Sequence, residues 1–200
     1  MAESRRITGK TQIFQLKIQL RHVRPPIWRR VLVPGELTLA ELHDVIQTAM
    51  GWTNTHLHEF EIDDVSYGEL DPEGELDEVA DEARVKLFRV ADEGGRIRYS
   101  YDFGDGWEHD VLVEKVASPQ PGSRYPSCIA GRRACPPEDV GGPWGYQEFL
   151  AAVSDPNHDE HTYRTEWIGG SFDPNELDLA AVNEELAVHA WADRPIRPTR

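Results

Sequence analysis

The sequence is short of the features that mark several classes of protein. It contains only two cysteines among 200 residues, too few for the disulfide framework of a small secreted domain, so we expect a reducing, cytoplasmic environment. No run of about 18 apolar residues is present, which predicts no membrane span. P-loop and Gly-x-Ser-x-Gly motifs are also missing, and Gly104-Asp105-Gly106 lacks the third glycine of a dinucleotide-binding fingerprint.

Positive charge is also scarce. Lys and Arg number 21 against 36 Asp and Glu, which gives a formal net charge of −15. Because phosphate neutralisation needs clustered cations, we expect this chain alone not to bind nucleic acid, and we expect its partner to be a protein or a small ligand. Residues 21–30 and 124–133 are locally basic. Residues 59–82 hold twelve acidic residues and no Lys or Arg, a composition typical of a solvated excursion, and they lack the ligand spacing of a calcium loop.

The first half of the sequence indicates strands packed on one helix. Strands are predicted at residues 14–20, 27–33, 56–62, 85–90, 97–103 and 107–113, most of them from alternating apolar and polar residues. Thr38 and Glu41 form a capping box at the start of a helix predicted over Leu39–Met50, whose apolar residues recur at helical spacing. The predicted class is therefore α+β, with antiparallel hairpins packed on an amphipathic helix in an order similar to the start of a β-grasp fold.

Helical patterns dominate the end of the sequence. We predict helices over residues 146–153 and 161–168, and a last helix that begins at Asp173, which is followed by Pro and then Glu at favourable positions. No linker precedes these helices, so we expect them to pack on the same body. The predicted organisation is a flexible tail at residues 1–10, one domain over residues 11–190 and a second flexible tail at residues 191–200.

An irregular segment, residues 118–145, follows the hairpin predicted over residues 97–115. It contains six of the fourteen prolines and shows neither a helical nor a strand period. Segments of this length without secondary structure are uncommon inside compact domains, and they are usually functional, disordered or held by other groups. Because the segment also carries both cysteines, a tyrosine and a tryptophan, we predict a loop that is fixed in place.

Five residues of the types that bind zinc occur in these segments: His56, His58, His109, Cys128 and Cys135. Each histidine shares a predicted strand face with apolar residues, and zinc held by this set would explain how the loop stays ordered. The cysteines are separated by six residues, more than the two to four of a typical zinc knuckle. Two other interpretations stay open, namely that these are ordinary buried core residues or that Cys128 and Cys135 form a disulfide.

Carboxylates provide a second candidate chemistry in the same segments. Glu138 and Asp139 precede a glycine pair, and with Asp105 in the hairpin turn they have the residue types of acid–base catalysis. The alternative is an acidic pair that caps a turn or a helix. We predict a ligand pocket where the segments meet, and we assign no catalytic residue. The candidate pocket residues are His56, His58, Asp105, Trp107, His109, Glu138 and Asp139.

Several segments of this sequence, in this order, resemble the signature segments of the Ri-plasmid ORF-3-like family. They are His56-Leu57-His58-Glu59-Phe60, Tyr101-Asp102-Phe103-Gly104-Asp105-Gly106-Trp107-Glu108-His109 and Ala134-Cys135-Pro136-Pro137-Glu138-Asp139-Val140-Gly141-Gly142, with Gly145-Tyr146 and Phe172-Asp173-Pro174. The resemblance covers roughly residues 12–186. It implies an α+β fold, and it carries over no established catalytic residue.

Some members of that family carry a resolvase-like (TnpR) label from insertion elements, so the resemblance points to an accessory role in mobile elements. A serine recombinase needs a nucleophilic serine in an ordered, arginine-lined site, whereas the serine nearest the start here is Ser4, in the predicted tail. A recombinase is therefore disfavoured. Two hypotheses remain: a non-enzymatic binding or adaptor domain with its pocket at the His/Cys loop, and a metal-dependent hydrolase that uses the His, Cys and carboxylate groups.

Overall fold

The structure, a computed structural model, describes residues 12–70 and 79–189. The strands are β1 (Ile13–Leu20), β2 (Trp28–Pro34), β3 (His58–Ile62), β4 (Val65–Gly68), β5 (Val79–Asp81), β6 (Arg96–Tyr101), β7 (Trp107–Ala117) and β8 (Ser127–Arg132). The helices are α1 (Leu39–Met50), α2 (Leu87–Val90), α3 (Gly142–Ser154), α4 (His161–Trp167) and α5 (Leu179–Val188). Both predicted tails fall outside the described residues.

The strands form one eight-stranded sheet in the order β5-β4-β3-β6-β7-β1-β2-β8. Neighbouring strands are antiparallel except for the parallel pair β4 and β5. β1 lies inside the sheet, where Ile13 is opposite Pro34 on one side and Ala117 on the other. Its alternating apolar residues are buried on one face, while the opposite face stays polar and partly exposed, as expected of an antiparallel sheet covered on one side.

The predicted helix over Leu39–Met50 is confirmed as α1. Thr38 Oγ1 accepts a hydrogen bond from the Glu41 amide at 3.1 Å, and Glu41 Oε2 accepts one from the Thr38 amide at 2.8 Å. Gly51 ends the helix with a left-handed φ of 93°, which glycine adopts without steric cost. The apolar side of α1 is buried in the same cluster as the inward face of the sheet, so the α+β prediction is confirmed.

The C-terminal helices bury side chains in this same core, because Phe149 of α3 and Leu186 of α5 belong to the main hydrophobic cluster. The last helix begins later than predicted. Asp178 caps it by accepting from the amides of Ala180 and Ala181, whereas Asp173 accepts from the Asn175 amide within a turn. The Asp-Pro-Asn-Glu sequence therefore marks a turn and not the helix start.

The edge strand β8 was not predicted, and α5 covers part of its open side. The Cys128 amide donates to Asn183 Oδ1 at 2.8 Å, and Asn183 Nδ2 donates to the Cys128 carbonyl at 2.9 Å. One side-chain amide thus takes both main-chain hydrogen bonds that a neighbouring strand would have made. Asn183 is anchored in turn by a bond from Nδ2 to the Leu179 carbonyl at 2.7 Å.

Two predictions for the middle of the chain were wrong. In place of the strand predicted at residues 85–90, a single antiparallel bridge pairs Lys86 with Thr38 and the short helix α2 follows. The acidic stretch 59–82 is not wholly a solvated excursion, since it contributes β4 and β5 and its Glu82 is buried; residues 71–78 lie outside the described part. Among the described residues, no helix is long and apolar enough to cross a membrane.

Candidate functional site

The segments that follow α1, β6 and β8 meet at one end of the sheet. The Asp102 amide donates to the Leu57 carbonyl at 2.9 Å, and the Gly141 amide donates to Asp105 Oδ2 at 3.1 Å. Gly142 packs directly on the hairpin turn, where a Cβ atom would lie 2.2 Å from the Asp105 carbonyl oxygen. Gly142 is therefore needed for two stretches of main chain to come into contact, and this contact helps to fix the loop carrying Glu138 and Asp139.

Hydrogen bonds from the segment after α1 and from β6 hold the same loop from the other side. Trp52 Nε1 donates to the Pro136 carbonyl at 3.0 Å. The carboxylate of Glu138 accepts from the Thr53 amide at 2.8 Å and from the Tyr101 hydroxyl at 3.1 Å. These hydrogen bonds hold the long loop in place. They also position its acidic pair, Glu138 and Asp139, beside the end of β6.

Four of the side chains gathered here form a group that we name the carboxylate–histidine cluster: His56, Asp102, Glu138 and Asp139. His56 Nε2 lies 3.2 Å from Asp139 Oδ1, 3.6 Å from Asp102 Oδ2 and 3.8 Å from Glu138 Oε2. Ligand atoms of His56, Asp102 and Asp139 all lie within 4.8 Å of one another. Among the described residues, this is the group whose spacing suits a metal ion.

One buried atom of the cluster lacks a hydrogen bond. His56 Nε2 is hidden from solvent and has no hydrogen-bond partner among the described residues. The Asp102 side chain is only 9% exposed. Its Oδ1 accepts from the amides of Gly104 and Asp105, while Oδ2 lies 3.6 Å from His56 Nε2. Asp139, in contrast, is 71% exposed, so the cluster is open on that side.

His58 lies apart from the cluster, in a buried polar network beneath α1. Its Nε2 is 2.9 Å from Glu82 Oε2, and both side chains are 4% exposed. The His58 ring stacks on the His43 ring with centroids 3.4 Å apart. Burial and the neighbouring His58 lower the pKa of His43 to about 3, so His43 is neutral near pH 7. Its Nδ1 and Nε2 contact the Tyr99 hydroxyl and the Asn54 side chain.

His109 and Trp107 are core residues. Both are 0% exposed, and the His109 and Trp52 rings lie edge to face with their centroids 5.3 Å apart. His109 Nδ1 is 3.3 Å from the Tyr99 carbonyl oxygen. Burial lowers the pKa of His109 to about 4, so the ring is uncharged near neutral pH. The structure therefore places His109 where the strand alternation predicted, inside the core.

The two cysteines are free thiols. Cys128 is buried in β8, and Cys135 is half-buried in the following loop; burial raises the pKa of both thiols. No three ligand atoms from His56, His58, His109, Cys128 and Cys135 come within 4.8 Å of one another in the described structure. The predicted zinc set is thus divided among the cluster, the network beneath α1 and the core, because the strands turn most of these side chains inward.

The segments that meet at the cluster are those that carry the resemblance in the sequence. The family profile described as "Plasmid pRiA4b ORF-3-like protein" matches residues 12–181. The chain belongs to this family. It is 44% identical over 193 residues to "Uncharacterized protein y4hQ" of Sinorhizobium fredii, covering 94% of this chain and 98% of that protein.

A solved structure supports the same fold. The crystal structure titled "Protein of Unknown Function MM3350" from Methanosarcina mazei Go1 is 36% identical and superimposes with a TM-score of 0.78. The match covers 84% of this chain and 96% of that chain. The solved structure therefore shares the fold of this chain, and neither relative's name specifies an activity.

Asp102 is the cluster residue that the sequence did not predict as a candidate site residue. Strand alternation from Tyr99 and Tyr101 assigns Asp102 to the outer, polar face of β6. In the structure Asp102 has a positive φ of 52°, which ends the strand and turns the side chain back toward His56. The available signal was an aspartate two residues before a Gly-Asp-Gly turn, since aspartate tolerates this conformation and bonds to amides further along the chain.

Proposed function

We propose that this protein is a binding domain whose ligand site is the carboxylate–histidine cluster, and that the cluster holds a divalent cation. The observation that supports this is His56 Nε2, a buried atom without a hydrogen-bond partner among the described residues, which lies 3.6 Å from Asp102 Oδ2 and 3.2 Å from Asp139 Oδ1. A buried polar atom without a partner costs about 1–3 kcal/mol. A cation between these three atoms would contact all of them at once.

The spacing and the donor types favour a borderline transition metal. Donors about 2.1 Å from a common ion stand roughly 3.0–3.4 Å apart in tetrahedral or octahedral sites. The His56–Asp139 and His56–Asp102 distances of 3.2 and 3.6 Å need only small adjustments to reach that range. One imidazole with two carboxylates suits Mn²⁺, Fe²⁺ or Zn²⁺ better than Ca²⁺, which takes oxygen ligands.

Calorimetric titration of metal-free protein with Mn²⁺ and Zn²⁺ tests the cation. We expect one ion per chain for one of these metals, with at least tenfold weaker affinity in His56→Ala and Asp102→Asn. His22→Ala is the matched control, because His22 Nε2 also lies 3.2 Å from a carboxylate, that of Glu108, but on an exposed surface outside the cluster. A wild-type chain that binds neither metal, or a His56→Ala variant that binds as tightly, would contradict the proposal.

A metal-dependent hydrolase is the second candidate function. The exposure of Asp139 favours it, because three protein donors would leave a coordination position open to water, the arrangement found in catalytic zinc sites. If the protein is a hydrolase, chromogenic phosphate and carboxylate esters should be hydrolysed by the metal-loaded chain and not by His56→Ala. If the chain binds the metal but hydrolyses none of these esters, the result supports the non-enzymatic binding domain. An accessory role in mobile elements rests on the resemblance alone and stays a prediction.

A further inference from the structure

We propose a second binding site in this chain, for a nucleotide, in an open groove between the β1–β2 connection and the first turn of α3. The groove encloses about 1180 Å³. Its lining includes Arg21, His22, Arg24 and Pro26 from the β1–β2 connection, Asp110 from β7, and Pro143 and Trp144 from α3. None of the four cluster residues lines it, so a test of one site does not test the other.

Trp144 supplies a free aromatic surface to the groove. Its side chain is 85% exposed, and it has no ring or cation stacked on it within the described structure. The other tryptophans of the described residues differ, since Trp52 and Trp107 are buried, Trp28 lies beneath Lys17 and Arg30 and Trp167 packs edge-on against Phe149. Stacking of a base on an exposed aromatic ring typically contributes about 1–3 kcal/mol, so the indole can hold a planar ring.

The β1–β2 connection supplies positive charge. Arg24 is exposed and makes no ion pair with the described residues, so its guanidinium is free to bind a phosphate. Arg21 is paired with Glu108 and lies 4.0 Å from Asp110, the acidic residue of the lining, and His22 lies beside the Glu108 carboxylate. Arg24 is therefore the cation left for a phosphate. The rest of the basic stretch 21–30 is engaged elsewhere: Arg29 is buried and donates to the Ala49 carbonyl.

The charge balance favours a nucleotide over a longer polyanion. The chain carries a net charge of −15, and repulsion from its acidic surface grows with each added phosphate. Single-stranded nucleic acid is usually held by several aromatic platforms in succession, whereas this groove offers one. A single indole and a single free guanidinium in one groove match one base and one phosphate group.

Titration of the full chain with AMP, followed by NMR of the indole N–H signals, tests the proposal. We expect AMP to shift the Trp144 signal, assigned as the signal lost in Trp144→Ser. Adenosine and inorganic phosphate should each bind at least tenfold more weakly than AMP. Adenosine lacks the phosphate that binds Arg24, and phosphate lacks the base that stacks on Trp144. Trp144→Ser and Arg24→Gln should each weaken AMP binding at least tenfold in calorimetry.

Two substitutions outside the groove are matched controls. Arg84→Gln removes another exposed guanidinium, and Trp167→Phe changes another partly exposed tryptophan; both should bind AMP as the wild type does. The proposal is overturned if AMP leaves the Trp144 signal unmoved, if Trp144→Ser or Arg24→Gln binds normally, or if adenosine alone binds as well. Tighter binding of a thymidine heptanucleotide than of AMP would also overturn it, in favour of single-stranded nucleic acid.

Discussion

Gly142→Ala should destabilise this protein by about 3 kcal/mol or more. The new Cβ would lie 2.2 Å from the Asp105 carbonyl oxygen and 3.2 Å from its carbon, so two segments of main chain must separate. Overpacking typically costs about 1–3 kcal/mol, and the left-handed φ of 68° adds about 1–2 kcal/mol for a residue with a side chain. Urea unfolding followed by circular dichroism measures the loss.

Gly51→Ala separates the two contributions. Gly51 has a φ of 93°, but no atom lies within 4 Å of the position its Cβ would take. We therefore expect this variant to lose only the conformational part, about 1–2 kcal/mol. Equal losses in the two variants would show that the close approach of Gly142 to the hairpin turn contributes nothing. In that event the convergence of the signature segments would need another explanation.

Glu82→Ala is the second variant with a large expected effect, a loss of about 3–5 kcal/mol. The Glu82 carboxylate is 4% exposed and lies 2.9 Å from His58 Nε2. Truncation leaves the His58 ring buried without its polar partner, stacked on a neutral His43. Because the network also contacts Tyr99 and Asn54 through His43, the loss should appear as a lower urea midpoint for the whole domain.

An exposed ion pair on the sheet serves as the comparison for Glu82. Arg98 Nη1 lies 2.8 Å from Glu61 Oε1, with the two side chains 63% and 38% exposed. Glu61→Ala should cost no more than about 1 kcal/mol, since exposed pairs are weak. Glu82→Gln keeps a polar group of similar shape and should fall between the two. If Glu82→Ala were as mild as Glu61→Ala, the buried pair would have no structural importance.

Local sequence signals were enough to predict the parts of the fold that depend on nearby residues. The capping box at Thr38 and Glu41 and the apolar spacing after it defined α1 to the residue. Strand alternation likewise located β1 and the hairpin of β6 and β7. Strand β8 was missed because the surrounding prolines mask its short period, and because its outer hydrogen bonds go to Asn183, 55 residues later, and not to another strand.

The chemistry of the candidate site could be predicted only in part, because it depends on the directions of side chains at strand ends. His56, Glu138 and Asp139 were selected from residue type, and the structure brings them together. The thiols were expected nearby, yet Cys128 points into the core from β8. The partner of His58 is Glu82. Glu82 belongs to the acidic stretch 59–82, which its composition predicts to be solvated, and no sequence periodicity indicates that the two residues pair.

The position of β1 in the sheet has a consequence for how the chain is made. β1 and β2 are joined by a short connection and pair as soon as both are synthesised, but the other neighbour of β1 is β7, which ends at Ala117. At about 5–20 residues per second, roughly 5–20 seconds of translation separate the completion of β1 from that of β7. During this interval one edge of an apolar strand lacks its partner and can pair with another chain. We therefore expect the nascent chain to be most prone to association with other chains before β7 completes the centre of the sheet.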